Sequence, residues 1–289
     1  MQTVITRVLA WYATEQRELP WRAPSTDAWG VYVSEVMAQQ TQVDRVAVEW
    51  VRWMERWPTP AALAAASPAD VVRQWGRLGY PRRALWMHAA AVRMVEAHGG
   101  LVPNTDAELR ALPGIGEYTA AAIRAFAYGQ RAAVLDVNVR RVHARVFDGL
   151  ATPSSSITRA EREHHERFLP ADASVAATLS QAVMEFGAVV CKARDPLCGA
   201  CPLADVCAWM RAGQPASKTP ARKQPKFAGS DRQCRGALMR VLREATEPVK
   251  ASALEQVWSD SLQRMRCLDS LVGDGLVVPL SRERFSLPS

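Results

Sequence analysis

The sequence has 289 residues, of which 48% are apolar, so it is long enough to form two or three domains with buried cores. A net charge of +7 and an isoelectric point near 9.3 favour a polyanionic partner. No apolar run reaches the length of a membrane span and the N-terminus shows no signal peptide, so we expect a soluble, cytoplasmic protein.

Helical spacing of apolar residues dominates the chain up to residue 212, and alternating β-branched segments are nearly absent. One predicted helix covers residues 31 to 43 and carries Glu35, Gln39 and Gln42 at positions i, i+4 and i+7. These side chains form a single polar stripe along a largely apolar helix. By itself the stripe fits either a functional face or an ordinary solvated surface.

Residues 105 to 129 predict two short helices joined by a glycine turn. Thr105 and Glu108 form a capping-box pattern, the turn reads Leu112-Pro113-Gly114-Ile115-Gly116, and the second helix extends to about Tyr128. Glycines let the backbone approach a phosphate, and the free N–H groups and positive dipole at the helix start favour an anion. The pattern fits a clamp on a DNA backbone, and equally a plain αα-hairpin.

An apolar run that begins at Ala133 ends at Asp136, where a further helix begins. Aspartate at such a position is a good N-cap and stabilises a helix by about 1 kcal/mol. The same position would aim a carboxylate at the groove that the hairpin holds, so a structural and a catalytic role can coexist. Asn138 lies two residues further along and could orient the carboxylate.

Four cysteines, Cys191, Cys198, Cys201 and Cys207, form a C-x6-C-x2-C-x5-C pattern. Thiolates at this density indicate a metal or a cluster. Two disulfides in so short a segment would imply a secreted chain, which the N-terminus argues against. Zinc remains the rival to an iron-sulfur cluster, although structural zinc sites usually pair two CxxC-like halves and this pattern has only one.

Residues 213 to 229 contain Pro, Ser and Lys but no acid, which predicts a linker that passes near phosphates. Its cations are Lys218, Arg222, Lys223 and Lys226. Helices are predicted next at residues 234–244, 251–258 and 261–272, followed by strands at 276–278 and 285–287. This order is typical of a winged helix with Arg264 and Arg266 on the recognition helix, but a small protein-contact module fits it as well.

Several of these motifs, in chain order, resemble those of the MutY-type adenine DNA glycosylases in the helix-hairpin-helix, or endonuclease III, superfamily. The motifs are Leu19-Pro20-Trp21-Arg22, the string Ser34–Val43, the loop Gly76–Tyr80 and the cysteine pattern. The resemblance covers residues 10 to 212. In the superfamily the cysteines hold a [4Fe-4S] cluster, so the resemblance implies one here.

The resemblance also implies a mainly α fold with two helical lobes. The iron-sulfur cluster lobe would comprise residues 1–22 and 133–212, and a six-helix barrel lobe, residues 23–132, would carry the helix-hairpin-helix. A basic linker, residues 213–229, would lead to a small α+β winged-helix-like domain, residues 230–289. Well-known members end in a larger β-rich domain that contacts 8-oxoguanine, so the resemblance implies a short form.

Roles follow from the same resemblance. The Glu35 position protonates N7 of adenine, and the Asp136 position stabilises the positive sugar, with Asn138 beside it. Arg22 and Tyr118 would line the pocket. The positions that would contact DNA are Gln39, Gln40, Gln42, Tyr80, Leu112, Gly114 and Gly116. Of these, Gln40 and Tyr80 would enter the duplex. The lyase branch has a lysine where this chain has Tyr118, so the enzyme implied is monofunctional.

The expected partner is double-stranded DNA that contains adenine opposite 8-oxoguanine or guanine, bound by a monomer associated with the nucleoid. A mismatch thymine or uracil glycosylase of the same superfamily is the alternative substrate assignment, because one such enzyme also has a tyrosine at the Tyr118 position. An iron-sulfur winged-helix regulator is the alternative from another class. A regulator has no use for the pair Glu35 and Asp136.

Overall fold

The structure is a computed structural model that describes residues 1–217 and 226–289. The described helices are α1 (Gln2–Glu15), α2 (Ala28–Ala38), α3 (Val43–Arg56), α4 (Pro60–Ala64), α5 (Pro68–Trp75), α6 (Arg82–His98), α7 (Asp106–Ala111), α8 (Glu117–Tyr128), α9 (Val137–Val146), α10 (Arg159–Phe168), α11 (Ala173–Val189), α12 (Ala208–Arg211), α13 (Asp231–Glu244), α14 (Ala251–Glu255) and α15 (Ser261–Gly273). The strands are β1 (Val249–Lys250), β2 (Val278–Leu280) and β3 (Arg284–Ser286). This content confirms the predicted mainly α fold with a small α+β domain at the end of the chain. Within residues 1–217 and 226–289, no helix is long and apolar enough to span a membrane.

The chain divides into two compact units. The first contains Met1–Glu35, Asn104–Ala111 and the chain from Ile115 to residue 217. The second contains Val36–Pro103, Leu112–Gly114 and residues 226 to 289. The lobe boundaries drawn from the sequence stay a prediction, and three cations of the predicted linker lie outside the described residues: Lys218, Arg222 and Lys223.

The first unit is built around α11, which packs against α1, α8 and α9. Leu179 and Phe186 of α11 are fully buried, and burying such a side chain contributes roughly 1.5–3 kcal/mol. Gly187 lets α9 come close, because a Cβ at this position would lie only 2.7 Å from the Cβ of Asn138. The start of α9, where Asp136 lies, is therefore held at a fixed distance from α11.

The second unit places α4 and α5 against α6. Thr59 and Ser67 cap α4 and α5 by accepting hydrogen bonds from backbone N–H groups at 3.2 and 3.1 Å, and a proline follows each cap. Trp53 and Trp75 are buried and meet edge to face with ring centroids 5.7 Å apart. This packing fixes the end of α5 and the turn of residues 76 to 80 that follows it.

The C-terminal domain has the order helix, strand, two helices and two strands. The three helices and the last two strands were predicted from the sequence, and β1 was not. Its antiparallel sheet has the order β1-β3-β2, with Val249 and Pro279 both opposite Phe285. The strands are shifted from their predicted positions, and the second helix is shorter than predicted. Cys234 and Cys267 are buried free thiols within this domain.

The two arginines of the candidate recognition helix are engaged inside the C-terminal domain. Arg266 forms an ion pair with Asp231 at 2.7 Å, and Arg264 donates to the Trp258 carbonyl at 2.6 Å. Leu262 and Met265 are the large apolar side chains that α15 exposes. The prediction that α15 presents these arginines to DNA is therefore not supported by their contacts.

Candidate active site

Glu35 lies on α2 among fully or almost fully buried apolar residues and is itself 8% exposed. Loss of hydration raises the pKa of Glu35 to about 7. A hydrogen bond from Tyr118 and the charge of Arg22 oppose this shift, whereas the charge of Asp136 adds to it. Glu35 can therefore carry a proton near neutral pH, as a general acid must.

Tyr118, on α8, hydrogen-bonds to the Glu35 carboxyl group. Its hydroxyl also lies 3.4 Å from the Sδ of Met184, but a carboxylate is the stronger acceptor. Burial first, and then the two carboxylates Glu35 and Asp136, raise the pKa of Tyr118 well above its usual value. Tyr118 therefore stays a neutral hydroxyl that can donate to the Glu35 carboxyl group.

Asp136 is the N-cap of α9, as predicted from the sequence. Its Oδ1 accepts from the backbone N–H groups of Asn138 and Val139 at 2.8 and 2.7 Å, and its Oδ2 accepts from Asn138 Nδ2 at 2.7 Å. Burial raises the pKa of Asp136, and these hydrogen bonds together with Arg141 counteract the shift. Both oxygens accept from N–H donors, so the surroundings suit the ionised carboxylate.

Arg141 holds Asn138 in place from one turn further along α9. Its Nη2 donates to Asn138 Oδ1 at 2.8 Å and to the Gly187 carbonyl at 2.6 Å, while its Nε donates to the Cys191 carbonyl at 2.7 Å. Arg141 therefore links the residue that orients Asp136 to the start of the cysteine segment. Sequence reasoning missed this role, although the spacing of three residues from Asn138 along the helix was a usable signal.

Arg22 is fixed by a buried carboxylate that sequence reasoning also missed. Glu185 is 1% exposed and accepts from Arg22 Nη2 at 2.9 Å and from Arg17 Nε at 2.6 Å. Despite its burial, hydrogen bonds from the two arginines lower the pKa of Glu185 to about 2. A single acid in the apolar run of α11 was the available signal, because an unpaired buried charge would be very costly.

Gln40 and Tyr80, the residues expected to enter DNA, share an unusual backbone conformation in the second unit. Their φ angles are 57° and 47°, in the left-handed region that non-glycine residues seldom adopt, and both side chains are exposed. Such conformations cluster at functional sites because the surroundings must hold them. Gln42 is also exposed and is the N-cap of α3.

A buried arginine, Arg83, holds both of these turns. It donates at 2.9 Å to the carbonyls of Val36 and Met37 and to Thr41 Oγ1, and at 3.0 Å to the Gly79 carbonyl. The helix predicted over residues 31 to 43 is therefore wrong in extent, since α2 ends at Ala38. Arg83 donates to backbone carbonyls that would otherwise accept hydrogen bonds from the N–H groups of the next helical turn.

The hairpin turn has the predicted glycine geometry. Gly114 has a φ of +78°, and a Cβ there would lie 3.0 Å from Trp86, so a larger residue would be strained. Its carbonyl lies 3.5 Å from Gln39 Nε2, and Leu112 is buried beside it in the second unit. Gly116, in the first unit, is the N-cap of α8.

The four cysteines of residues 191–207 line one cavity, together with Arg145, Phe186 and Trp209. All four thiols are free, and three of them accept from nitrogen donors. The donors are Arg145 Nη1 to Cys191 (3.4 Å), Leu203 N to Cys201 (3.4 Å) and Gln214 Nε2 to Cys198 (3.3 Å). Hydrogen bonds to sulfur are characteristic of iron-sulfur sites, so these residues fit such a cluster. Among residues 1–217 and 226–289, no group of three or more His, Cys, Asp or Glu side chains has the geometry to bind a single metal ion.

Comparisons with known proteins agree with this arrangement. Residues 33–166 match the model of the HhH-GPD superfamily base excision DNA repair protein, and residues 191–207 match the iron-sulfur binding domain of endonuclease III. The fold and the site thus define a base excision DNA repair protein that carries a [4Fe-4S] cluster. The zinc alternative for the cysteine segment is therefore wrong. The cysteines that would hold it are Cys191, Cys198, Cys201 and Cys207.

The relatives narrow this class. An adenine DNA glycosylase of Mycolicibacterium smegmatis is 50% identical over 97% of this chain and 94% of its own length. One of Mycobacterium tuberculosis is 47% identical over 98% of this chain and 93% of its own length. The chain therefore belongs to the adenine DNA glycosylase family, whose members are hydrolases of N-glycosyl bonds. The solved structure of a thermostable thymine-DNA glycosylase, 24% identical, covers 73% of this chain and 96% of its own with a TM-score of 0.64, and shares its fold.

Loss of one cysteine of the segment should remove the cluster. We expect Cys198→Ser to lack visible absorption and to contain little iron or sulfide, because serine is a poor substitute for a thiolate ligand, and to fold poorly. Cys234→Ser, in the C-terminal domain, is the matched control and should keep equal amounts of iron and sulfide. Elemental analysis that finds zinc and no sulfide in the wild-type protein would contradict this expectation.

Proposed function

We propose that this chain hydrolyses the N-glycosidic bond of a deoxyadenosine that is mispaired with 8-oxoguanine or guanine in duplex DNA. The observation that carries the proposal is the buried Glu35, with its raised pKa, beside the Tyr118 hydroxyl and within the field of Asp136. Two carboxyl groups whose surroundings suit different protonation states can act as an acid and as a stabilising anion. The family relationship supports adenine as the base.

The acid step uses Glu35. Adenine leaves poorly as an anion, so the Glu35 carboxyl group donates its proton to N7 while the bond from C1′ to N9 breaks and its electron pair stays on the base. Water then attacks C1′, and its proton goes to the Glu35 carboxylate, which restores the acid. The Tyr118 hydrogen bond keeps the carboxyl group aligned through both transfers.

Asp136 acts on the sugar. Loss of the base leaves an oxocarbenium ion, whose positive charge the Asp136 carboxylate stabilises electrostatically or by transient attachment to C1′. Asn138 fixes the Oδ2 oxygen and the start of α9 fixes Oδ1. Arg22, held by Glu185, lines the pocket on the side of Glu35.

The DNA duplex is the proposed partner, bound by a single copy of the chain. Extrusion of the adenine costs a few kcal/mol, and less for a mispair, so residues that fill the gap favour the extruded state. Gln40 and Tyr80 are proposed for this task because both are exposed on turns that Arg83 holds. The hairpin residues Leu112, Gly114 and Gly116 would contact the phosphate backbone.

The decisive assay offers the purified protein three duplexes, with A opposite 8-oxoguanine, A opposite G, and T opposite G. We expect base release from the first two and none from the third. Release of thymine without release of adenine would refute the substrate assignment and favour a mismatch thymine glycosylase.

The enzyme should act without a lyase step. Tyr118 occupies the position where the lyase branch has its lysine, and a phenol cannot form an imine with the sugar aldehyde. We therefore expect borohydride to trap little or no covalent complex with DNA that contains an abasic site. Tyr118→Lys, the matched variant, is expected to increase trapping. Efficient trapping by the wild-type protein would show that another lysine attacks the sugar.

A further inference from the structure

Three arginines of the second unit lie together beside the turn that carries Tyr80. Arg45, near the start of α3, donates from Nη2 to the backbone carbonyl of Arg77, which belongs to that turn. Arg243 lies in the last turn of α13 and near Arg77. Partial burial, and next the charge of Arg77, lower the pKa of Arg243, so the two guanidinium groups repel each other.

Contacts within the second unit hold α13 in this position. Helix α13 packs against α5, and Arg73 of α5 donates to the Ala245 carbonyl at 3.4 Å, two residues after Arg243. Asp274 accepts from Arg235 of α13 at 2.5 Å and from Arg82 of α6 at 3.4 Å. The approach of Arg243 to Arg77 is therefore part of the fold of this unit.

These arginines differ from their neighbours in having no acid partner. In the described part of the chain, no carboxylate forms an ion pair with Arg45, Arg77 or Arg243. Glu244 raises the pKa of Arg243, but less than Arg77 lowers it. Like charges held together cost free energy, which an anion between them would recover.

We propose that Arg45, Arg77 and Arg243 bind the phosphodiester backbone of duplex DNA in a site shared by α3, the turn after α5 and the C-terminal domain. This proposal rests on the proposed function, because it names residues that contact the duplex DNA on which that function acts. Its position beside Tyr80 places phosphates close to the proposed point of insertion. The C-terminal domain then binds DNA through α13, and the paired arginines of α15 serve the fold of the domain.

The test uses the full chain and an undamaged DNA duplex, with affinity measured over a range of salt concentrations. Each phosphate contact contributes about 0.9 to the slope of log affinity against log salt, so we expect Arg77→Gln/Arg243→Gln to lower the slope by about 1 to 2. Arg77→Lys/Arg243→Lys keeps both charges and should keep most of the slope. An unchanged slope in the glutamine variant would overturn the proposal.

Arg266→Gln is the matched control, because it removes a guanidinium charge from the same domain at a position paired with Asp231. It should leave the salt slope unchanged, and an equal fall in this control would also overturn the proposal. Thermal unfolding without DNA adds a second readout. The glutamine double variant should unfold at the wild-type temperature or above, since it relieves a repulsion and loses no ion pair; a structural role would lower this temperature.

Excision is measured separately, as the single-turnover rate with saturating enzyme on the duplex with A opposite 8-oxoguanine. The glutamine double variant should match the wild type, because saturating enzyme offsets weaker binding and neither arginine is among the residues to which the chemistry is assigned. Wild-type excision together with an unchanged salt slope would reject the phosphate site and leave the function standing. A lowered salt slope in the glutamine variant, together with a wild-type protein that releases no adenine, would support the phosphate site and reject the proposed function.

Discussion

Glu35→Gln is expected to reduce the single-turnover rate of adenine release by at least two to four orders of magnitude, the scale on which a positioned acid accelerates proton transfer. Glutamine has nearly the same volume but no proton to donate to N7. Binding of the mispaired duplex should change little. The measurement compares base release and duplex affinity in the wild type, Glu35→Gln and Glu55→Gln, a control with the same substitution at an exposed position. Substantial release by Glu35→Gln would refute the assigned acid.

The same variant should change two pH profiles. Because the pKa of Glu35 is about 7, wild-type adenine release should decline as pH rises through 7, and the residual rate of Glu35→Gln should not. The folded pKa lies above the unfolded value of 4.5, so the stability that protonated Glu35 contributes is complete below pH 4.5 and is lost as pH rises through 7. Above pH 7 the buried carboxylate costs on the order of 3 kcal/mol. Urea unfolding at pH 5 and at pH 8 should therefore show that Glu35→Gln gains stability over the wild type only at the higher pH.

Asp136→Asn should abolish excision to a similar degree while leaving the fold intact. The variant removes the negative charge that faces the oxocarbenium ion, and loss of one such electrostatic group costs about 10²- to 10³-fold in rate. Asparagine is as good an N-cap as aspartate, and only the hydrogen bond from Asn138 Nδ2 is lost, so the free energy of unfolding should fall by no more than about 1 kcal/mol. Single-turnover kinetics and urea unfolding give the two quantities.

Asp172→Asn is the matched control for this variant. Asp172 caps α11 in the same way, with its side chain accepting from the Val175 N–H at 2.9 Å, but it lies on the surface. We expect this substitution to affect neither excision nor duplex affinity. If Asp136→Asn lost several kcal/mol of stability together with excision, the role of Asp136 would be to hold the fold and not to stabilise the sugar.

Features encoded within a few neighbouring residues could be predicted from the sequence. The N-cap at Asp136 and the glycine turn of the hairpin depend on local backbone geometry, which residue type decides directly. The cysteine spacing indicated a metal or cluster site because its ligands follow one another along a short segment, and the family resemblance implied that the site holds a [4Fe-4S] cluster. The three helices and the last two strands of the C-terminal domain could also be predicted, since they follow from periodicity and turn residues, whereas the two-residue strand β1 is too short to show such a pattern.

Other features were decided by the tertiary structure alone, because they join residues that are far apart in the chain. Glu185 meets Arg22 across a separation of 163 residues, and no local pattern indicates that pair. The end of α2 at Ala38 depends on Arg83, which supplies hydrogen bonds from another helix and so outweighs the local preference for a longer one. The raised pKa of Glu35 arises from desolvation by surrounding elements, and the approach of Arg243 to Arg77 arises from the packing of α13 on α5. Sequence by itself determined which residues are chemically able to act, whereas burial and long-range pairing decided which of them are held in a state to do so.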